Sequence, residues 1–224
     1  MEVYHDARVY DKGMITVLEI MGRNAGWLTA ASAIAAYKGA GPDLIYLPEV
    51  VFDMAKFIED ATAIYKKNGN VIVAVSEGIK DKDGRYISEY GSDLAKTKDA
   101  FGHAQLGGLA STLANILKER TGAKVRGIEF SLLQRCAAHI GSLTDVNEAY
   151  MAGQMAVRYA VEGKTDYMVA FERAEGPDYK CNIKLINLTD VANTEKKVPL
   201  EWIKKDGTGL TEDYIKYVLP LIQG

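Results

Sequence analysis

Residues 14–26 read Met14-Ile-Thr-Val-Leu-Glu-Ile20-Met21-Gly22-Arg23-Asn24-Ala25-Gly26. The first seven are mainly β-branched and apolar, the composition of a strand. A glycine-bearing turn follows. An alanine-rich segment then reads as a helix to about Tyr37, and Gly39 to Pro42 stop it. Strand, glycine turn and helix together form the repeating unit of a parallel sheet.

The same alternation continues outward. Asp43–Leu47 reads as a second strand, and Phe52, Phe57, Ile58, Ala61, Ile64 and Tyr65 keep helical spacing after it. Asn70–Ser76 is nearly all apolar, as a strand buried on both faces should be. Asp83-Gly84 reads as a turn. Leu106–Arg120 is a helix with Leu109, Leu113, Ile116 and Leu117 on one side, Lys124–Phe130 a fourth strand, and Asp145–Glu162 a long helix. The class is α/β: three layers, a mostly parallel sheet flanked by helices. Beyond the long helix the grammar changes. Asp166–Arg173 and Lys180–Leu188 form a hairpin around Gly176-Pro177-Asp178, and Thr211–Leu219 is a last short helix. The expected boundaries are 1–144 for one α/β domain and 145–224 for a carboxy-terminal segment of an incomplete second domain.

Composition narrows the function classes. The 224 residues suit one or two domains and should bury roughly 70% of the unfolded surface. With 48% hydrophobic and 25% charged residues, disorder, collagen and disulfide scaffolds are excluded. The net charge of −3 leaves no electrostatic footprint for nucleic acid or an anionic membrane. Cys136, Cys181, His5, His103 and His139 are too few for a zinc cluster, and no CxxC or HExxH occurs, so no metal site is expected. Reduced thiols fit a cytosolic protein. The start lacks a basic and apolar signal pattern, and Ala25–Tyr37 falls short of the ~20 residues a membrane span needs. The chain reads as cytoplasmic.

Ligands of open parallel sheets bind at the carboxyl ends of strands. Three strand ends carry unusual residues. The first ends in Met21-Gly22-Arg23, where glycine admits a ligand to the backbone and a helix start favours an anion. The third ends in Ser76-Glu77-Gly78. The fourth begins near Arg126 and leads to Gln134-Arg135-Cys136. A carboxylate accepts from sugar hydroxyls and guanidinium forks hold phosphate, so the set suits a phosphorylated polyol.

These residues in this order resemble the phosphofructokinase family. Glu19-Ile-Met21-Gly22-Arg23-Asn-Ala-Gly26-Trp-Leu is similar to its Met-Gly-Arg sugar-phosphate motif, and Pro48-Glu49 and Ser76-Glu77-Gly78 keep its order. Arg126-Gly-Ile-Glu-Phe-Ser-Leu132-Leu-Gln134-Arg135 is similar to its later strand and Gln-Arg loop. The resemblance implies that Met21, Gly22, Arg23, Glu77 and Arg135 contact fructose 6-phosphate, and that Arg126 reaches the 6-phosphate of a neighbouring subunit. It implies phosphoryl transfer to the 1-hydroxyl of that sugar, with Mg2+ serving the complete enzyme. Asn24-Ala25-Gly26-Trp27 and Ser131–Cys136 resemble pyrophosphate-dependent members more than ATP-dependent ones. A run at Gly102–Gly108 imitates the Gln-Arg loop, but Leu106 replaces its arginine and a helix follows. His103 is therefore read as structural.

Two departures mark this sequence. Leu132 stands where the family has a histidine or tyrosine, and Met14 where many members have a second phosphate-binding arginine, with Lys12 the nearest substitute. The family's Gly-Gly-Asp donor loop and Thr-Ile-Asp-Asn-Asp base motif belong before the Met-Gly-Arg strand, and neither occurs in the 20 residues preceding Met21. The expectation is an acceptor-binding part with no catalytic residue of its own, inactive alone. A non-catalytic sugar-phosphate module is the alternative from another class. Along a strand at about 3.3 Å per residue, Arg126 and Arg135 stand up to roughly 20–30 Å apart, too far to share one phosphate within one chain. Because the resemblance has both arginines bind the 6-phosphate, it implies a homodimer or higher homo-oligomer with shared sites.

Overall fold

A computed structural model of the chain describes residues 1–90 and 108–223. The run imitating the Gln-Arg loop, with His103, lies outside them except for Gly108.

The elements in chain order begin with α1 (Glu2–Ala7), β1 (Met14–Ile20), α2 (Trp27–Ala31), β2 (Leu44–Tyr46) and α3 (Met54–Asn68). There follow β3 (Val71–Ser76), α4 (Leu109–Thr121), β4 (Lys124–Glu129), α5 (Leu143–Val161), β5 (Tyr167–Arg173), β6 (Cys181–Asn187), α6 (Leu188–Val191) and α7 (Glu212–Val218). Two compact units emerge, one of Met1–Cys136 with Lys197–Ile215, the other of Ala137–Lys196 with Lys216–Gly224. The sequence reading placed one boundary at 144, whereas the contacts return residues 197–215 to the first unit.

In the first unit β2, β3, β1 and β4 form one sheet in that order, every pair parallel. β1 and β3 are buried along their whole length, as their mostly apolar sequences favour. β4 is an edge strand and carries Lys124, Arg126 and Glu129 exposed. Side chains alternate between faces. Ile15, Val17, Val71, Val73 and Val75 pack with Phe57 and Ala61 of α3 and with Leu109, Leu113 and Leu117 of α4. Met14, Leu18 and Ile72 point the other way, onto Ala7, Val3 and Tyr4 of α1. The sheet is thus the middle of three layers.

The helix expected over 25–37 is wound in two ways. Trp27–Ala31 is α-helical and Ser32–Lys38 tightens to 3-10 turns, with the Ser32 hydroxyl donating to the Thr29 carbonyl at 2.6 Å where the winding changes. Residues 197–215 close over this region, where the rings of Trp27, Trp202 and Tyr214 cluster with Trp202 edge-on to the other two, and the Tyr214 hydroxyl donates to the Trp27 carbonyl at 2.9 Å.

In the second unit β5 and β6 pair antiparallel from Tyr167↔Asn187 to Arg173↔Cys181, the expected hairpin. α5 packs on it. The Arg173 guanidinium lies over the rings of Tyr179 and Tyr217 and donates to the Tyr217 carbonyl at 2.7 Å. Both cysteines are free.

Candidate functional site

The parallel register brings three strand ends to one level. Ile20 lies beside Ser76, and Glu19 lies beside Glu129. The chain leaves all three strands there, so the segments after β1, β3 and β4 meet at the carboxyl edge of the sheet.

The turn Met21–Gly22–Arg23 is the centre of this edge, and other segments hold it by its backbone. The Gln134 side-chain oxygen accepts from Met21 N at 2.8 Å. Glu77 Oε1 accepts from Gly22 N at 3.3 Å, and the Glu77 amide donates to the Ile20 carbonyl at 3.1 Å. The Ser76 hydroxyl donates to the Gly22 carbonyl. Gly22 has φ 147, a backbone setting that side chains disfavour. Gly78 is a glycine for a different reason: a Cβ there would fall 1.7 Å from the Arg23 carbonyl oxygen.

Met21, Gly22, Arg23 and Glu77 therefore meet in one place. The Gln-Arg loop reaches the same place through Gln134. Arg135 follows it on a 3-10 turn, Ser131–Arg135, and is exposed. Ser131 opens that turn at φ 43, a left-handed setting uncommon for serine. Arg126 is elsewhere. It pairs in register with Thr16, five residues short of Met21 along β1, and five residues of strand span about 17 Å. Its guanidinium faces Asp6 at 3.7 Å and the Tyr10 ring at 5.8 Å, both from the amino-terminal segment. Met14, in the position of the family's second arginine, is buried, while Leu132 and Lys12 are exposed.

Beneath the turn lies a carboxylate that the sequence reading passed over. Glu19 is 3% exposed on β1, and its Oε2 accepts from Ala110 N at 2.8 Å in the first turn of α4, where Gly108 supplies no side-chain cap. Burial, opposed by that hydrogen bond and assisted by the negative charges of Glu129 and Glu77, pushes its pKa up to about 7. Gln134 and Ser76 were likewise quoted only as parts of motifs. Their hydrogen bonds span 113 and 54 residues, and no local pattern reports such distances.

The arrangement gathers the Glu77 carboxylate and the backbone of the Met21–Arg23 turn at one place, with the exposed Arg135 next in sequence to the glutamine that bonds the turn. Among the described residues no group of three His, Cys, Asp or Glu side chains could hold a metal ion, and no helix is long and apolar enough to cross a membrane.

Comparison with known proteins gives this edge its context. Residues 3–128 match the family described as Phosphofructokinase. The chain is 43% identical over 211 residues to the pyrophosphate–fructose 6-phosphate 1-phosphotransferase of Methylococcus capsulatus, covering 94% of this chain and 49% of that protein. It superposes on the pyrophosphate-dependent phosphofructokinase of Marinobacter aquaeolei with a TM-score of 0.81 at 34% identity, over 100% of this chain and 52% of that one. The corresponding enzyme of Nitrosospira multiformis gives 0.80 at 36%, over 100% and 51%. The chain thus spans about half the length of the curated relatives it matches. Over that span both its sequence and its fold agree with those proteins, and the chain belongs to the phosphofructokinase family.

Proposed function

We propose that this chain is the acceptor-binding part of a pyrophosphate-dependent 6-phosphofructokinase and binds fructose 6-phosphate at the carboxyl edge of its sheet. The observation that carries the reading is the convergence of Glu77 and the Gln134-Arg135 loop on the Met21–Arg23 turn. Glu77 spends one carboxylate oxygen on Gly22 N, and the other accepts from the sugar hydroxyls. Arg135 gives its guanidinium fork to the 6-phosphate, and the turn packs against the sugar with its backbone already fixed. Fixing the acceptor in advance is how such a reaction gains its rate, because phosphoryl transfer depends on positioning and charge neutralisation. The preference for pyrophosphate over ATP as donor is supported by relatives that are pyrophosphate–fructose 6-phosphate 1-phosphotransferases. The family reaction calls for magnesium, and none of the roles above depends on the ion.

Isothermal titration of the 224-residue chain with fructose 6-phosphate tests the reading. Saturable binding is expected, with glucose 6-phosphate binding more weakly. In an aldolase-coupled assay the same sample should show no turnover with pyrophosphate or ATP, because its sequence holds no Thr-Ile-Asp-Asn-Asp motif. A chain that ignores fructose 6-phosphate, or turnover that scales with its concentration, would sink the proposal.

A further inference from the structure

Glu49 follows β2 and has no part in the chemistry described above. Its Oε1 accepts two backbone hydrogen bonds, from Gly26 N and from Val198 N, each at 2.9 Å. Its Oε2 is buried and has no hydrogen-bond partner. Gly26 lies three residues past Arg23 and opens α2. A Cβ on Gly26 would stand 2.8 Å from Glu49 Oε2 and 2.9 Å from Leu47 Cδ2 and Pro48 Cδ, so the backbone of the turn is pressed onto this side chain. Val198 is 1% exposed and is the second residue of the segment 197–215 that rejoins the first unit. One carboxylate oxygen thus joins two segments 172 residues apart, counted from 26 to 198.

We propose that Glu49 is a positioning residue of the acceptor site: it fixes the downstream end of the Met21–Gly26 turn and makes that fix depend on the seating of the segment that begins at Lys197. The upstream end of the same turn is held by Gln134 and Glu77, and Glu49 is the corresponding hold at the other end. A buried N–H left without an acceptor is costly, so neither donor releases the carboxylate cheaply. Because both donors share one oxygen, a shift of either segment moves the acceptor that the other one uses. Linkage then runs both ways: a ligand that steadies the turn also steadies residues 197–215. The inference rests on the acceptor site proposed above.

The test compares Glu49→Asp, one methylene too short to reach both donors, with Glu49→Gln, which keeps the length and one acceptor oxygen. Amide hydrogen exchange at Gly26 and Val198 is followed by NMR, with and without fructose 6-phosphate, beside the sugar affinity. In Glu49→Asp both amides should exchange at least 10-fold faster, the β1–β3 amides should hold their rates, and affinity should fall about 10-fold. Glu49→Gln should stay within about 3-fold of wild type on every measure. Added sugar should slow exchange at Val198 in wild type and Glu49→Gln but not in Glu49→Asp, a response that a purely structural carboxylate would not give. The proposal is overturned if the two amides respond separately, or if Glu49→Asp frees both while sugar affinity is unchanged. A wild-type chain that binds no sugar would refute the acceptor site itself, and the two-segment tie would still be decided by the joint response of the two amides.

Discussion

Arg135 stands on an exposed 3-10 turn, one residue from the glutamine that grips Met21. A charge-assisted hydrogen bond to phosphate is worth roughly 1.5–3 kcal/mol, about a 10-fold change in affinity or more. Arg135→Ala should therefore weaken fructose 6-phosphate binding at least 10-fold by titration calorimetry, and His103→Ala should leave it near wild type. The reverse result would mean that the Gly102–Gly108 run is the true phosphate loop. At this scale the sequence made part of the site legible. A lone carboxylate or a glycine interrupting the edge of an apolar strand, as at Glu77 and Gly22, is visible along the chain. Gln134, Ser76 and Glu49 were not visible as holders, because each bonds to backbone that only the folded sheet brings near. Polar side chains at strand ends are common, and their targets are set by tertiary distance.

The meeting of β1 with α4 shows what one element demands of another. The amide of Ala110 at the start of α4 finds its acceptor on Glu19, inside the sheet. Such a bond favours the ionised carboxyl through the helix dipole, yet burial outweighs it and the pKa rises from 4.5 to about 7. The sign follows from proton binding. Between those two values folded Glu19 holds more proton than unfolded Glu19, so its contribution is full below about pH 4.5 and is lost as pH rises through 7. The loss amounts to roughly 3 kcal/mol. Glu19→Gln removes the titration and keeps an acceptor for Ala110. Measured by urea unfolding, the stability of Glu19→Gln relative to wild type should climb by a few kcal/mol between pH 4.5 and 8. A constant difference across that range would show that Glu19 does not titrate there. The strands and helices themselves were legible because their periods differ. The buried β1 and β3 runs match their expected spans to within a residue, while the change to 3-10 winding at Ser32 depends on a side-chain bond back to Thr29 that periodicity does not encode.

For the whole molecule the placement of Arg126 matters most. It sits on an edge strand, about 17 Å along the sheet from the Met21–Arg23 turn of its own chain, facing Asp6. The expectation that Arg126 serves the site of a second copy, related by a two-fold axis, is open to a direct test. Joined to the donor-bearing half of a relative, a mixture of Arg126→Ala and Arg135→Ala chains should regain one intact site per heterodimer, and hence measurable turnover. Inactivity of demonstrated heterodimers would return Arg126 to the role of an ordinary edge-strand arginine paired with Asp6. In the second unit α5 leaves Val146, Tyr150, Val157 and Val161 exposed along one stripe, and none of its residues is buried.

The central place of β1 also has a consequence in time. One flank of β1 is closed by β3, but the other waits for β4, whose Lys124 pairs with Met14 across 110 residues. At about 5–20 residues per second on the ribosome, that interval lasts roughly 5 to 20 s. For that period the nascent chain carries an apolar strand with an open hydrogen-bonding edge, on a transcript where neighbouring ribosomes are making the same strand. The arrangement that puts β1 at the centre of the finished sheet makes the protein's production sensitive to translation speed, and slow codons between Ser76 and Lys124 would prolong the hazard.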